Sequence, residues 1–263
     1  MSKRFNRVVR VIMALSYAFI FLPIAVIIAM SFNDNEYGMM PFHFSFKWYQ
    51  YLFTKSELLP ATILSLKLAV SVCAAAVVIG TIGALGMQYL PKKILRVFQP
   101  VSQLPIVIPW LVQAIALLML FNFAGIGRSY VSMFFGNLIV VLPYVLMMVA
   151  GRFADADRTP EDAARMLGAK PLRVFADVTL PMLAPGVLSG ALMSFMVCFN
   201  AFCMQYYLAP FGVRTLPIEI YTLVKVGYKP DLNALAAILI LLSTAIVLVM
   251  NKLGYSARKL FGN

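Results

Sequence analysis

Long apolar runs separated by short polar breaks fill most of the chain. Six of these runs approach or exceed the roughly 20 residues that a helix needs to cross a hydrocarbon core about 30 Å thick. They lie near Val11–Ser31, Ala61–Leu90, Val101–Phe121, Tyr130–Ala150, Met182–Met204 and Asn233–Leu253. The second is longer than it needs to be and predicts a helix that tilts or projects at one end. The first is too long for a signal-peptide core of roughly 7–15 residues. It is read as an uncleaved span, although Ala29-Met30-Ser31 offers small residues at cleavage spacing. Prolines fall in the third (Pro105, Pro109), fourth (Pro143) and fifth (Pro181, Pro185) regions and predict breaks there. Freed backbone groups inside a bilayer must face protein or a watery path, which suits a transporter better than a passive anchor. The expected fold is an all-α integral membrane protein, a single transmembrane domain over residues 1–263 with no repeat or linker.

One polar stretch, Gly151–Pro181, interrupts the apolar pattern. Within it Thr159 suits a helix N-cap and Pro160 the first helical position, and Glu161 and Asp162 suit the positive end of the dipole. Gly168 suits the C-terminus. These signals predict a helix of about two turns, roughly 12 Å long. Ala163 and Ala164 keep its surface low enough for another protein to approach. A second helix is expected to begin at Pro171 and run through Arg173, Val174, Phe175 and Val178 to Pro181. A helix so short is marginal in water alone and needs a neighbour. Capping chemistry by itself fits either a solvated loop helix or a docking element.

Composition and charge sharpen the picture. The chain is 62% hydrophobic and 12% charged, with a net charge of +12; soluble domains carry about a quarter charged residues. The basic residues cluster at the ends of apolar runs, which argues against a nucleic-acid surface. Lys3, Arg4, Arg7, Arg10, Lys92, Lys93, Arg96, Arg152, Arg158, Arg165, Lys170, Arg173, Lys252, Arg258 and Lys259 fall on one side of the predicted spans. Only Lys47, Lys55, Arg128, Arg214, Lys225 and Lys229 fall on the other, and Lys67 lies inside a span. The positive-inside rule then predicts cytoplasmic termini, an inward-facing 151–181 loop and outward-facing loops Phe32–Pro60 and Gln205–Leu232. Trp48, Tyr49, Tyr51, Tyr206 and Tyr207 stand where an outer aromatic belt belongs. Cys73, Cys198 and Cys203 match no zinc spacing, and His43 has no second ligand nearby. No phosphate-loop motif occurs, so ATP hydrolysis by that chemistry is not expected of this chain.

Asp162-Ala163-Ala164, then Gly168, then nine residues and Val178-Thr179-Leu180-Pro181 resemble the coupling loop of permease subunits in binding-protein-dependent ABC importers of the type I, MetI-like fold. The segments Leu216–Gly227 and Pro230–Ala236, with Phe46-Lys47-Trp48-Tyr49, are similar to the second permease subunit of spermidine/putrescine importers. The resemblance implies six spans and a cytoplasmic coupling helix seated in a cleft of an ATPase. Glu161, Asp162, Ala163, Ala164, Leu167, Gly168, Ala169 and Pro181 are the coupling candidates. It also implies a second homologous permease, two cytoplasmic ABC ATPase subunits, a periplasmic solute-binding protein and a lipid surround in a bacterial inner membrane. ATP and Mg would sit on the ATPases, with no cofactor on this chain, and transport would proceed by alternating access.

The chain departs from polyamine-type permeases in one respect. Their fifth span typically carries an acidic pair, and an ungapped count back from Leu216-Pro217 puts Asn200 and Ala201 at those positions. No Asp or Glu occurs between Glu57 and Asp155, or between Asp177 and Glu219. An ammonium desolvated there would lack a counter-charge. Lys67 is either a snorkelling lysine or a charge facing the path. Lys67, Phe199, Asn200, Phe202, Gln205 and Tyr206 are the candidate path residues, for an anionic, zwitterionic or neutral polar solute. Polyamine import, with the acid supplied by the partner permease, is the alternative. A self-contained secondary carrier or channel and a membrane scaffold are the competing classes. Carriers usually rely on intramembrane ionisable groups, which are scarce here, and a scaffold leaves the loop pattern without a use.

Overall fold

The computed structural model describes residues 3–36 and 41–252, nearly all of them in helices or short connections. The helices are α1 (Lys3–Met30), α2 (Lys47–Thr54), α3 (Leu58–Met87), α4 (Lys92–Val107), α5 (Trp110–Phe123), α6 (Tyr130–Asp155), α7 (Thr159–Met166), α8 (Pro171–Val174), α9 (Leu180–Phe199), α10 (Phe202–Leu208), α11 (Leu216–Val226) and α12 (Asp231–Lys252). A π-helical turn, Phe175–Thr179, joins α8 to α9. Among the described residues, α1, α3, α6 and the continuous stretch Pro171–Phe199 are long and apolar enough to cross a membrane. The pair α4–α5 adds a fifth if it counts as one span. α12 is apolar along most of its length, and Leu253, Arg258 and Lys259 lie outside the described residues.

The described residues form two compact units, 3–61 with 219–250, and 62–218. In the first, α1 leaves nearly all its side chains open, Phe19 at 83%. The loop after α1 is packed: Trp48 Nε1 donates to the Asn33 carbonyl at 2.8 Å, and Ser31 pairs with Tyr49 at 2.7 Å. Phe32 stacks on Phe44 with centroids 5.4 Å apart. Trp48 of α2 is thus buried against the loop that follows α1. Ser56 Oγ donates to Asp231 Oδ2 at the start of α12.

The second unit is built on α6 packed against α9. Val141, Val145 and Val149 of α6 and Leu183 of α9 are fully buried. Small residues permit the close approach: a Cβ on Gly190 would sit 3.0 Å from Val145 Cα, and one on Gly186 would sit 2.9 Å from the Met148 carbonyl oxygen. Without a hydrophobic drive between helices in lipid, such small-xxx-small contacts supply van der Waals packing and set the interface. Ser129 and Ser132 form a capping box at the start of α6.

Three span expectations need correction. The third span is not one helix over 101–121. α4 begins at Lys92, and α4 and α5 meet at a bend of 103°. Ile108 is extended (φ −71°, ψ 130°), the conformation a following proline favours, and Pro109 starts α5. Nor does the fifth start at Met182: the helical line runs from Pro171 through the π turn and ends at Phe199, so Phe202–Met204 belong to α10. Finally, Pro105, Pro143 and Pro185 lie inside continuous helices and break none of them.

Candidate functional site

The loop 151–181 is held at both ends of α7 by local chemistry. Thr159 is not the cap. Its backbone N–H and its hydroxyl both donate to Asp157 Oδ1, at 3.0 and 2.6 Å. These bonds hold the Asp157 carboxyl below its ordinary range. A charged acceptor two residues upstream competes better for those donors than the hydroxyl does for the helix end. The Arg158 carbonyl then accepts the first helical bonds, from Glu161 and Asp162. At the other end Gly168 adopts φ +82°. Gly168 N–H reaches the Arg165 carbonyl and Ala169 N–H the Ala164 carbonyl, the bond pair of a Schellman closure.

The two faces of α7 differ. Asp162, Ala163, Leu167 and Gly168 are exposed, and Ala164 and Ala169 are half-buried. Met166, Leu167 and, beyond the turn, Leu172 are 89%, 88% and 83% exposed. Glu161 is turned the other way, only 7% exposed, and accepts from Thr179 Oγ1 at 2.5 Å. Arg158 donates to Gln88 just after α3 at 2.6 Å and lies over the Phe153 ring. A cavity of about 450 Å³ lies behind α7, with Leu85, Tyr89, Phe153, Glu161 and Arg165 among its lining. Pro181 is exposed and sits in the first turn of α9, apart from α7. Just before it the helix widens, and Leu180 N–H reaches the Phe175 carbonyl. A proline in a regular helix would clash with the carbonyl four residues back, here that of Asp177. One wide turn relieves the conflict without ending the helix.

The path candidates do not share one open surface. Lys67 is on the exposed face of α3 with Ile63, Leu66 and Val70. α9 ends at Phe199, whose ring stacks on Phe195. Asn200 is exposed, its Nδ2 donating to the Met196 carbonyl, whereas Ala201 is buried. Phe202 is half-buried against Tyr206, which is 40% exposed. Gln205 is fully enclosed, with Nε2 donating to the Cys198 carbonyl at 2.7 Å across the α9–α10 break. It adds a side-chain donor to a carbonyl that also accepts from the Ala201 N–H at 3.2 Å and so ties α10 to the end of α9.

The model of the family described as "Binding-protein-dependent transport system inner membrane component" matches residues 76–261, a stretch that holds this loop and the α9–α10 break. The chain belongs to that family. Spermidine/putrescine transport system permease protein PotC of Haemophilus influenzae is 32% identical over 252 residues, covering 95% of this chain and 96% of the relative. Molybdenum transport system permease protein ModB of Mycobacterium bovis is 34% identical over 203 residues, covering 72% and 76%. Among solved structures, a bacterial ABC transporter involved in the import of the acidic polysaccharide alginate superposes with a TM-score of 0.69 at 16% identity, over 98% of this chain and 99% of the other.

This inner membrane component is therefore a multi-pass ABC importer permease with the type I fold. Three contacts at the site escape sequence reasoning. The Thr179 bond to Glu161 and the Gln88 bond to Arg158 join residues 18 and 70 apart. Arg128 donates to the carbonyls of Tyr206 and Ala209, both at 2.9 Å, and so fastens the end of α10. The one available signal for Arg128 is an isolated charge just after Gly125-Ile126-Gly127.

Proposed function

We propose that this permease pairs with a second permease of similar fold and that two ABC ATPase subunits, carrying ATP and Mg, grip the α7 loop from the cytoplasm. A periplasmic binding protein delivers a small polar solute to the opposite side, and both termini face the cytoplasm. The observation that carries the reading is that Met166, Leu167 and Leu172 are the most exposed large apolar side chains of the 151–181 loop, at and just beyond the end of α7. Large apolar side chains clustered on a loop mark a protein contact. The uneven basic charge supports a cytoplasmic position for that loop.

The relatives' names point to polyamines and to molybdenum, so the scaffold serves more than one solute chemistry. In this chain the stretches 58–154 and 178–218 hold no carboxylate. That favours an anionic, zwitterionic or neutral polar solute over a polycation. Polyamine import remains the alternative if the partner permease supplies the acid.

A mild-detergent pull-down with mass spectrometry tests the assembly. The expected result is co-capture of an ATPase and a second permease. Leu167→Asp with Leu172→Asp is expected to lose the ATPase while keeping the second permease. Capture of the intact wild-type chain alone would sink the importer assembly and favour a self-contained carrier or channel.

A further inference from the structure

We infer that the Glu161–Thr179 hydrogen bond is the polar link through which movement of α7 enters α9. Glu161 is then a positioning residue inside the permease, not a contact to the ATPase. The inference rests on the docking reading above and goes beyond it by naming where the motion is handed on.

The argument begins with placement. Around α7, Asp162, Ala163 and Met166 form the open face, while Glu161 and the half-buried Ala164 face inward. Burying a carboxylate where an apolar side chain would pack costs free energy unless the charge is used. Here the carboxyl oxygen accepts a hydrogen bond from the Thr179 hydroxyl, and such a bond to a carboxylate is stronger than a neutral one. Thr179 is itself buried.

The surroundings make this bond important. α7 packs on α8 and on the π turn, and the cavity of about 450 Å³ beside it leaves that packing incomplete. The other polar tie, Arg158 to Gln88, lies on the exposed side and leads to the end of α3, not to α9. Thr179 is the last residue of the π turn and immediately precedes the 20-residue α9. A pull on its side chain thus acts on the first turn of a helix that ends at the candidate path residues. The π turn, widened by Pro181, is the less regular part of the line and the place where it can flex.

The test uses the complete detergent-purified assembly and needs no knowledge of the solute. Cys203, half-buried on α10 beyond the end of α9, serves as a native reporter. Its rate of reaction with a small maleimide is measured by peptide mass spectrometry, with and without ATP–Mg and vanadate. In the wild-type assembly nucleotide is expected to change that rate several-fold. Glu161→Ala and Thr179→Val should each capture the ATPase as wild type does yet lose the nucleotide effect, and the double variant should be no worse than either. Glu161→Gln, whose amide oxygen can still accept from Thr179, should restore most of it. Loss of ATPase capture in Glu161→Ala would overturn the inference by placing Glu161 in the docking contact. A full nucleotide response in both single variants would overturn it too, as would no response in wild type. A wild-type chain that captures no ATPase would instead bring down the docking reading, and the inference with it.

Discussion

At the scale of single residues, Arg128 shows how much one side chain can organise. Its Nε and Nη2 bind the Ala209 and Tyr206 carbonyls, and its guanidinium lies 4.5 Å from the Phe211 ring centre. α10 has only seven residues, too few to hold without tertiary support. Hydrogen bonds to charged groups contribute about 1.5–3 kcal/mol each, less where water competes. Arg128→Ala is therefore expected to cost about 2 kcal/mol, and Arg128→Lys to recover less than half because an ammonium cannot reproduce the planar fork. Thermal unfolding in detergent reads this directly, and an unchanged midpoint in Arg128→Ala would contradict it. The sequence revealed such residues unevenly. Gly168 was legible because a left-handed helix end is a local property. Arg128 and Glu161 were not, because their partners lie 78 to 81 and 18 residues away. Thr159 was not legible as the first residue of α7 instead of its cap, because Asp157 offers the stronger acceptor and the cap falls on Arg158.

At the scale of elements, span lengths follow from apolar composition alone, since a hydrocarbon layer imposes them. Breaks do not. Pro109 separates two helices because Ile108 turns extended, while Pro143 and Pro185 sit within helices that continue past them. Whether a proline ends a helix depends on the neighbours that re-satisfy its freed carbonyl, and sequence spacing does not contain that information. The α6–α9 contact is more readable after the fact, through Gly186 and Gly190 one turn apart. A Cβ at 186 would lie 2.8 Å from Arg152 Cβ, and one at 190 would lie 3.0 Å from Val145 Cα. Gly186→Ala and Gly190→Ala are expected to lower stability by about 1–3 kcal/mol through overpacking. Gly151, also in α6, has nothing within 4 Å of its Cβ position. Gly151→Ala should be neutral or raise stability by up to about 1 kcal/mol. Equal unfolding midpoints for all three variants would refute this account of the interface.

At the scale of the whole molecule, the question is which solute the charge pattern admits. The stretches 58–154 and 178–218 carry cations and no carboxylates. Lys67 lies on an exposed face of α3, and Asn200 is exposed at the end of α9, so neither side chain is packed inside this chain. Ala201 is only 1% exposed, and a carboxylate there would be buried without a partner. If the proposed path passes these residues, removing the lysine charge and adding an aspartate act in the same direction. A unit charge about 10 Å from a moving ion contributes roughly 1–2 kcal/mol at an effective dielectric near 20, about five- to thirtyfold in rate. Lys67→Met and Asn200→Asp are therefore each expected to raise uptake of radiolabelled putrescine relative to wild type in cells carrying the complete importer. Ala201→Asp should lower the amount of folded permease instead. Putrescine uptake unchanged in both of the first two variants, with assembly intact by pull-down, would move the solute path away from this face and onto the partner permease. A rise in Asn200→Asp alone would keep the path at the α9–α10 break and assign Lys67 to the lipid side.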